Sequence, residues 1–261
     1  MAHMVSRILL LAALLVISTE PGCRTSPPPY EPFKISKDEF YGKVKTIVLA
    51  PVIVPSDLED QEPVKTKFES LVEAKLREAG FSLVPPREYA AIWKRTTEQI
   101  GGFFDPVTGK VDESKVKAAR THTLRELQRT VQADTVLHPS IRVRGINFAG
   151  GTAVWDGVSE SIGDFEANNA VDRFLFAGRY GGYSGSVGAL SFVVVIEDMN
   201  GVDLYINGGG IQLLSKISSG KLALLPRNRL FAKEEHYTTS VNLALDPLLR
   251  KAAPSDVKAK P

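Results

Sequence analysis

Two apolar segments joined by an Asn-Gly turn constrain the fold of this 261-residue chain more than any other feature. Phe192–Ile196 is an unbroken apolar run, which is typical of a strand covered on both faces. Asn200-Gly201 follows, and both residue types tolerate the positive φ angles of a tight hairpin turn. Val202–Asn207 then alternates between apolar and polar residues, as in a strand with one buried face. We therefore predict a β-hairpin near the centre of a sheet.

The segment before this hairpin alternates between strand and helix signals. Lys45–Val54 is predicted to be the first buried strand. Pro63 is typical of a first helical turn, and apolar residues at helical spacing follow it as far as Gly80, which ends the helix. Phe81–Val84 is predicted to be a second strand, and Pro86 opens a second helix. This order predicts a βαβα opening.

Further helices and strands complete the predicted sheet. Asp112 is expected to cap a helix that ends near Gln132. Asp134–Gly145 is predicted to be a long strand that Pro139 interrupts, and a last helix is predicted near Thr239–Lys251. The fold class is therefore α/β (α+β), a mixed β-sheet with a βαβα opening, helices on the sheet, and a C-terminal β-hairpin and helix. The strands expected beside the hairpin are Phe81–Val84 and Asp134–Val143.

A long insertion at residues 146–189 is rich in glycine and aromatic residues. We interpret Thr152–Val158 as a strand and Ser159–Gly188 as an excursion with one helical turn near Asn169–Leu175. Loops of this length are uncommon unless they bind something or are disordered. Trp155, Asp156, Tyr180 and Tyr183 are the predicted partner-binding residues, because aromatic side chains provide large contact area at low entropic cost. The alternative for Trp155 is that it fills a core beneath the loop.

The N-terminus carries the features of an export signal. Arg7 precedes the apolar run Ile8–Thr19, which is shorter than the roughly 20 residues that span a bilayer. The run is followed by Cys23, the one cysteine in the chain. Together with Gly22 this stretch resembles a bacterial lipoprotein signal, although Glu20 differs from the family pattern. The resemblance implies that Cys23 is acylated, for example with palmitate, and becomes the mature N-terminus.

Arg24 stands where the lipoprotein family places an inner-membrane retention aspartate, so the resemblance implies an outer-membrane lipoprotein that faces the periplasm. The alternative is a signal peptide that is cut elsewhere, with Cys23 incidental. The predicted organisation has four parts. They are a lipoprotein signal peptide at 1–22, a proline-rich linker at 23–42, a single α/β periplasmic domain at 43–252 with the insertion at 146–189, and a flexible tail at 253–261.

Charge, glycine and histidine patterns argue against several function classes. The net charge of +2, without basic runs interleaved with aromatics, indicates no nucleic-acid partner. Gly208-Gly209-Gly210 and Gly181–Gly188 do not have phosphate-loop spacing and favour a β-bulge and a mobile loop, so we expect no cofactor. The four histidines are scattered, and we expect no metal site.

The order of elements resembles a group of bacterial envelope lipoproteins. The resemblance rests on the strand Thr46–Pro51, the helix that ends at Gly80, Phe81–Val84, Ala133–Leu137 and the hairpin Val194–Gly210. The group includes the curli-secretion lipoprotein, the lipoprotein that activates a penicillin-binding protein, and the N-terminal domain of TolB. It provides no catalytic residues, and the chain departs from it in the 146–189 insertion.

These observations predict a lipid-anchored, non-enzymatic periplasmic accessory protein of the cell envelope. It would contact the membrane through its N-terminal lipid and bind an envelope protein or a peptidoglycan-associated complex through the 146–189 loop. One alternative is an oligomeric outer-membrane secretion or pore component, although charged residues in the insertion break any lipid-facing alternation. The other is an envelope hydrolase that uses Glu234, Glu235 or Asp156. The sequence leaves the oligomeric state open.

Overall fold

The computed structural model describes residues 30–56, 58, 61–163, 184–218 and 221–249. The chain divides into two compact units, residues 1–31 and 32–261, and the fold described below belongs to the second. Cys23, Tyr180, Tyr183, the predicted helical turn at Asn169–Leu175 and the predicted tail lie outside the described residues.

Five α-helices and nine β-strands are described. The helices are α1 Lys37–Lys43, α2 Gln61–Glu78, α3 Pro86–Gln99, α4 Glu113–Val131 and α5 Glu234–Leu245. The strands are β1 Thr46–Leu49, β2 Ser82–Val84, β3 Thr135–Ala149, β4 Thr152–Trp155, β5 Val158–Ser161, β6 Ser184–Asp198, β7 Asp203–Leu213, β8 Ser215–Ser218 and β9 Lys221–Leu224. Within the described ranges, no helix combines the length and apolarity needed to cross a membrane.

Strands β1 to β7 form one mixed sheet, which confirms the predicted α/β class and its βαβα opening. β1 runs parallel to β2 and to β3, while β3 runs antiparallel to β6 from Thr135 opposite Asp198 to Ala149 opposite Ser184. The β6–β7 hairpin therefore has β3 as its neighbour, as predicted. The prediction that Phe81–Val84 also neighbours the hairpin is wrong, because β2 pairs with β1 on the far side of β3.

One end of this sheet, called here the helix-covered end, carries helices on both faces. It comprises β1, β2 and the adjoining halves of β3, β6 and β7. On one face α1, α2 and α5 bury a core that includes Phe40, Phe68 and Val241 against Leu137 and Phe192. On the other face α3 and α4 bury a smaller core, which includes Ile92, Leu124, Leu127, Val48 and Val136.

The other end, called here the curled end, has a separate core without helices. It comprises the far halves of β3 and β6 together with β4, β5 and β8. The β4–β5 hairpin extends the sheet from β3 and then bends back, so that the amide of Gly210 in β7 donates to the carbonyl of Asp156. The carbonyl of Ile162 accepts from the amide of Ile217 in β8. The enclosed core consists of Phe148, Ala153, Trp155, Ile162, Val187, Ala189, Leu213 and Ile217.

Pro139 does not interrupt β3, contrary to the prediction. Its carbonyl accepts from the amide of Ile53 at 3.0 Å, so the backbone of Pro139 is turned toward the segment after β1 and away from β6. Because neighbouring backbone groups on a strand alternate in direction, the missing N–H of proline removes no hydrogen bond from the β3–β6 ladder. The strand therefore continues for fifteen residues to Ala149.

The insertion contains more strand than predicted. The predicted single strand Thr152–Val158 is instead the hairpin β4–β5, because Asp156 and Gly157 adopt φ angles of +37° and +81° and form a tight turn. The strand β6 begins at Ser184, well before the apolar run Phe192–Ile196 on which its prediction rests. The segment Ser159–Gly188, predicted to be an excursion, therefore begins within strand β5 and ends within strand β6.

The last helix begins earlier than predicted and ends before Lys251. α5 begins at Glu234, and its first turn places the adjacent acids Glu234 and Glu235 at the positive end of the helix dipole. It ends at Leu245 and continues as a short 3-10 turn at Asp246–Leu248, where Pro247 disfavours further α-helix.

Candidate partner-binding site

Trp155 lies inside the curled end and not on its surface. Its side chain is only 5% exposed, and its indole Nε1 donates to the carbonyl of Leu190 at 3.2 Å. That carbonyl lies at a register shift between Leu190 and Ser191, where a bulge disturbs the β6–β7 ladder. Of the two interpretations of Trp155, the structure places it in the core beneath the hairpin.

The three consecutive glycines of β7 allow close packing on both faces of the strand. A Cβ on Gly209 would lie 2.1 Å from the carbonyl oxygen of Ser240 in α5. A Cβ on Gly210 would lie 2.1 Å from the Val158 side chain and 2.9 Å from Trp155 Nε1. The predicted bulge is present beside Gly210, but the main role of these glycines is the close approach of a helix and a hairpin.

Asp156 fixes the β4–β5 turn. Its Oδ1 accepts from Arg144 Nη1 at 3.0 Å, and its backbone carbonyl accepts from the Gly210 amide at 2.9 Å. Its Oδ2 is buried without a hydrogen-bond partner among the described residues. Trp155 and Asp156 are thus brought together, but as parts of the scaffold. The structure does not describe where Tyr180 and Tyr183 lie relative to them.

Residues 164–183 connect two positions whose backbones are paired to strands of the curled end. On one side, Gly163 forms a parallel bridge to Ile217 in β8. On the other side, Ser184 pairs with Ala149 at the end of β3. Both positions belong to the curled end, beside the core that contains Trp155. Loops that bind ligands or partners are commonly carried by a rigid scaffold of this kind.

A buried ionic cluster at the helix-covered end was not predicted from the sequence. The side chain of Glu197 in β6 has no exposed surface. Its Oε1 accepts from His138 Nε2 at 2.6 Å and from Arg120 Nε at 3.3 Å, and its Oε2 accepts from Arg120 Nη2. The ring of Tyr89 in α3 lies edge-on to His138, with centroids 5.7 Å apart.

Hydrogen bonds within the cluster offset the cost of burying the charge of Glu197. Burial alone would raise the pKa of Glu197, but the hydrogen bonds from His138 and Arg120 outweigh burial and hold that pKa below its ordinary value. Burial, together with the negative charge of Glu197, raises the pKa of Tyr89 to about 12. Because both carboxylate oxygens already accept hydrogen bonds, we interpret Glu197 as a structural tie between α4, β3 and β6 and not as a catalytic acid.

One sequence signal pointed to this cluster. Glu197 directly follows the apolar run Phe192–Ile196 and precedes the hairpin turn, so a charge is placed at the end of a fully buried strand segment. Acidic residues are almost never fully buried unless they are paired. The sequence therefore signals that Glu197 needs a cation, but not that Arg120 and His138 supply it.

The acids considered for hydrolysis are each engaged elsewhere. Glu234 forms an ion pair with Lys67 of α2, Glu235 lies 3.8 Å from Lys233, and Asp156 is held by Arg144. His236 turns inward, and its Nδ1 lies 3.0 Å from the Oε1 of buried Gln212. Burial, reinforced by the charge of Lys233, lowers the pKa of His236.

Two further features bear on whether the described residues hold a ligand. The described residues contain no group of three or more His, Cys, Asp or Glu side chains arranged to hold a metal ion. A shallow pocket of about 210 Å³ lies beside the β6–β7 turn, where Asp134 and Asp198 are among the lining residues. Both carboxylates already accept backbone amides, from Lys45 and Thr46 and from Asn200 and Val202 respectively. These contacts tie the two carboxylates to the backbone beside the pocket.

Comparison with known proteins identifies no family for this chain. No family model matches the sequence, and no curated protein matches it. Among solved structures, a dodecamer of a PelC point variant from Paraburkholderia phytofirmans is similar over 80% of this chain and 91% of the PelC chain, with 12% sequence identity and a TM-score of 0.34. A likeness at this TM-score supports no conclusion about function.

Proposed function

We propose that this protein is a lipid-anchored, non-enzymatic accessory protein of the bacterial cell envelope that binds a partner at its curled end. The proposed anchor is Cys23, within the stretch that resembles a lipoprotein signal, on an outer membrane with the domain facing the periplasm. The proposed partner is an envelope protein or a peptidoglycan-associated complex. No cofactor takes part.

The observation that carries this proposal is that both ends of segment 164–183 are paired to strands of the curled end. The segment leaves at Gly163 and returns at Ser184, and both are paired to strands around a dedicated core. A separate core at this position stabilises the strands at which the segment begins and ends. Tyr180 and Tyr183 belong to this segment and are the proposed contact residues, while Trp155 and Asp156 act by holding the β4–β5 hairpin in place.

The ionisable side chains favour a binding role over a catalytic one. Glu197 is saturated by two donors, and Asp156 and Glu234 are each paired with a cation. A general acid or base needs a proton that it can exchange with a substrate within hydrogen-bond reach. Ion-paired carboxylates of this kind serve better as structural ties.

Replacing residues 164–183 by a Gly/Ser segment of equal length tests the binding site. The matched control replaces the exposed turn Asp105–Gly109 by a Gly/Ser segment. Proteins recovered with each tagged variant from cross-linked, detergent-solubilised membranes are compared by mass spectrometry. We expect the 164–183 variant to lose the specific partner and the control to retain it. Recovery of the same partner with both variants would contradict the proposed site.

Metabolic palmitate labelling tests the anchor. We expect label in the wild-type chain in the membrane fraction and none in Cys23→Ala. A wild-type chain without label would remove the anchor and with it the proposed localisation, whatever the outcome of the partner experiment.

The size of the detergent-extracted protein separates this proposal from the oligomeric alternative. An accessory protein that acts as a monomer sediments at the mass of one chain. A ring visible by electron microscopy would favour the secretion or pore component over the accessory role.

A further inference from the structure

Strand β9 presents large apolar side chains to the surface. Leu222 is 55% exposed and Leu224 is 81% exposed. Because they are two residues apart on a strand, the two side chains lie on the same face. Within the described residues β9 pairs with β8 alone, so its outer edge has no partner strand there. Exposed leucines on an edge strand are an aggregation hazard unless something covers them.

These leucines continue the apolar surface of the curled end. In the β8–β9 register Ile217 lies opposite Leu222, and directly opposed residues point to the same face. Ile217 is only 8% exposed and belongs to the core that contains Trp155. The apolar surface therefore extends from the core across β8 and ends on the exposed face of β9.

Basic residues flank these leucines along the chain. Residues 204–233 contain five Lys or Arg and no Asp or Glu. Lys221, Arg227 and Arg229 are exposed, and in the described part of the chain neither Lys221 nor Arg229 forms an ion pair. Lys216 and Lys233 act on the carboxyl of Glu160, so the outward positive charge is assigned to Lys221 and Arg229.

Protection of the strand edge explains only part of this pattern. A lysine on an edge strand is a common device against pairing with another chain, and Lys221 fits that role. The same device does not explain two exposed leucines beside the lysine, because apolar side chains promote association. It also does not explain Arg227 and Arg229, which lie beyond the strand.

We propose that this basic-apolar patch, formed by Lys221, Leu222, Leu224 and Arg229, docks on an anionic phospholipid surface. Interfacial binding combines apolar side chains that enter the headgroup region with basic residues that contact anionic lipid. Charge complementarity selects an anionic bilayer, and the exposed leucines favour a surface with an apolar interior over an acidic protein face. The inference rests on the proposed function in one respect, since the Cys23 lipid would supply the nearby bilayer.

The experiment uses an environment-sensitive fluorophore on the patch. The full chain carries Cys23→Ser, which removes the native thiol, and Leu224→Cys, which is labelled with a nitrobenzoxadiazole dye. Vesicles of phosphatidylethanolamine with phosphatidylglycerol are compared with vesicles of phosphatidylcholine alone. The matched control label is placed by Val202→Cys, at a residue that is 56% exposed in the turn after β6.

We expect a blue shift of the Leu224→Cys label, and quenching by brominated lipid, with anionic vesicles only. The Val202→Cys label should show neither change. Each surface Lys or Arg raises partition onto an anionic bilayer about fivefold, so Lys221→Glu with Arg229→Glu should weaken the lipid contact by about 25-fold or more. High salt should weaken it as well.

Two results would overturn the proposal. Equal emission with anionic and zwitterionic vesicles would show that the patch makes no charge-selective lipid contact. A blue shift that appears without lipid and grows with protein concentration would assign the patch to contact with a second copy of the chain. Because the labelled chain lacks Cys23, either result is independent of palmitate labelling and of the partner experiment, so a failure here differs from a failure of the proposed function.

Discussion

The two ends of the sheet share their long strands but bury apolar surface in different ways. At the helix-covered end, helices pack on both faces, and α5 approaches so closely that only glycine fits at position 209. At the curled end the sheet covers itself, and Val158 and Trp155 of the β4–β5 hairpin lie over Gly210. The first end is therefore constrained by backbone, and the second by side chains that have some freedom to adjust.

The two ends also differ in what they contain: one has the buried ionic cluster, and the other has the elements proposed to bind a partner and a membrane. The helix-covered end contains the largest core among the described residues and the buried ionic cluster of Glu197. The curled end has a small core, and it carries the ends of the proposed binding segment 164–183 and strand β8, which leads to the lipid-docking patch. Binding segments are commonly carried at such a position, outside the main core of a fold.

Gly209→Ala, at the helix-covered end, should lower the stability of the protein more than any other substitution considered below. The new Cβ would meet the backbone of Ser240, so α5 would have to move away from β7. We expect a loss of about 3 kcal/mol or more in the free energy of unfolding, measured with urea and followed by circular dichroism.

Two other glycine substitutions calibrate that result. In Gly210→Ala the new Cβ meets the side chain of Val158, which can rotate, so we expect a smaller loss of about 1–2 kcal/mol. In Gly42→Ala, within α1, no atom lies within 4 Å, and we expect no loss or a gain of about 0.5–1 kcal/mol. A larger loss of unfolding free energy for Gly210→Ala than for Gly209→Ala would contradict the claim that the helix-covered end is the more tightly constrained of the two.

Glu197→Gln should cost somewhat less than Gly209→Ala. Breaking a buried ion pair costs about 3–5 kcal/mol when the remaining charge stays buried, but the side chain of Arg120 is half exposed and water can solvate it. We therefore expect a loss of about 2–3 kcal/mol at neutral pH, measured by urea unfolding. Glu126→Gln, at an exposed ion pair with Arg129, is the matched control, with an expected loss of less than about 1 kcal/mol.

The effect of Glu197→Gln should depend on pH with a defined sign. The pKa of Glu197 is lower in the folded chain than its ordinary value of 4.5. Its ionic stabilisation is therefore fully present above that value and is lost as the pH falls toward the folded-state pKa. The stability difference between wild type and Glu197→Gln should shrink when the pH is lowered from 7 into this acidic range. A difference that stays constant would contradict an ionised Glu197.

Trp155→Phe should weaken the curled end selectively. The substitution removes the indole donor to Leu190 and leaves that carbonyl without its partner, at an expected cost of about 1–2 kcal/mol. Native-state hydrogen exchange should show faster exchange in β4, β5 and the first half of β6. Trp93→Phe, at the other tryptophan of the chain, is the control and lies at the helix-covered end. Equal acceleration of exchange in β1 and β2 would show that the two ends are one cooperative unit.

Arg144→Gln should have the smallest effect. Arg144 is about half exposed, and its ion pair with Asp156 lies at the edge of the hairpin. Exposed pairs of this kind contribute about 0–1 kcal/mol, so we expect a loss of less than about 0.5 kcal/mol in urea unfolding. A loss as large as that of Trp155→Phe would show that the charge of Arg144 holds the hairpin in place.

The sequence predicted the parts of the fold that depend on local signals. Helix α2 follows from apolar spacing between Pro63 and Gly80, and the β6–β7 turn follows from Asn200-Gly201. The β4–β5 turn carries a comparable signal in Asp156-Gly157, but two strands of only four residues give too short a pattern to be told from one strand. The start of β6 was missed because Gly185 and Gly188, typical of loops, lie within the strand.

Other features depend on residues that are distant in sequence. Arg120 and His138 lie 77 and 59 residues from Glu197, and no local pattern predicts that the three converge. The same holds for the bending of the β4–β5 hairpin over β7, which decides that Trp155 is buried. The sequence therefore singled out Trp155 and Asp156, but their place in the scaffold follows only from the tertiary structure.

The central claim is that a partner binds at the curled end and not at the helix-covered end. Photo-cross-linking in living cells tests it directly, with p-benzoylphenylalanine placed at Tyr183 in one variant and at Val202, in the turn after β6, in another. The account predicts one discrete cross-linked partner from position 183 and none from position 202. The same partner cross-linked from position 202, with no product from position 183, would contradict it.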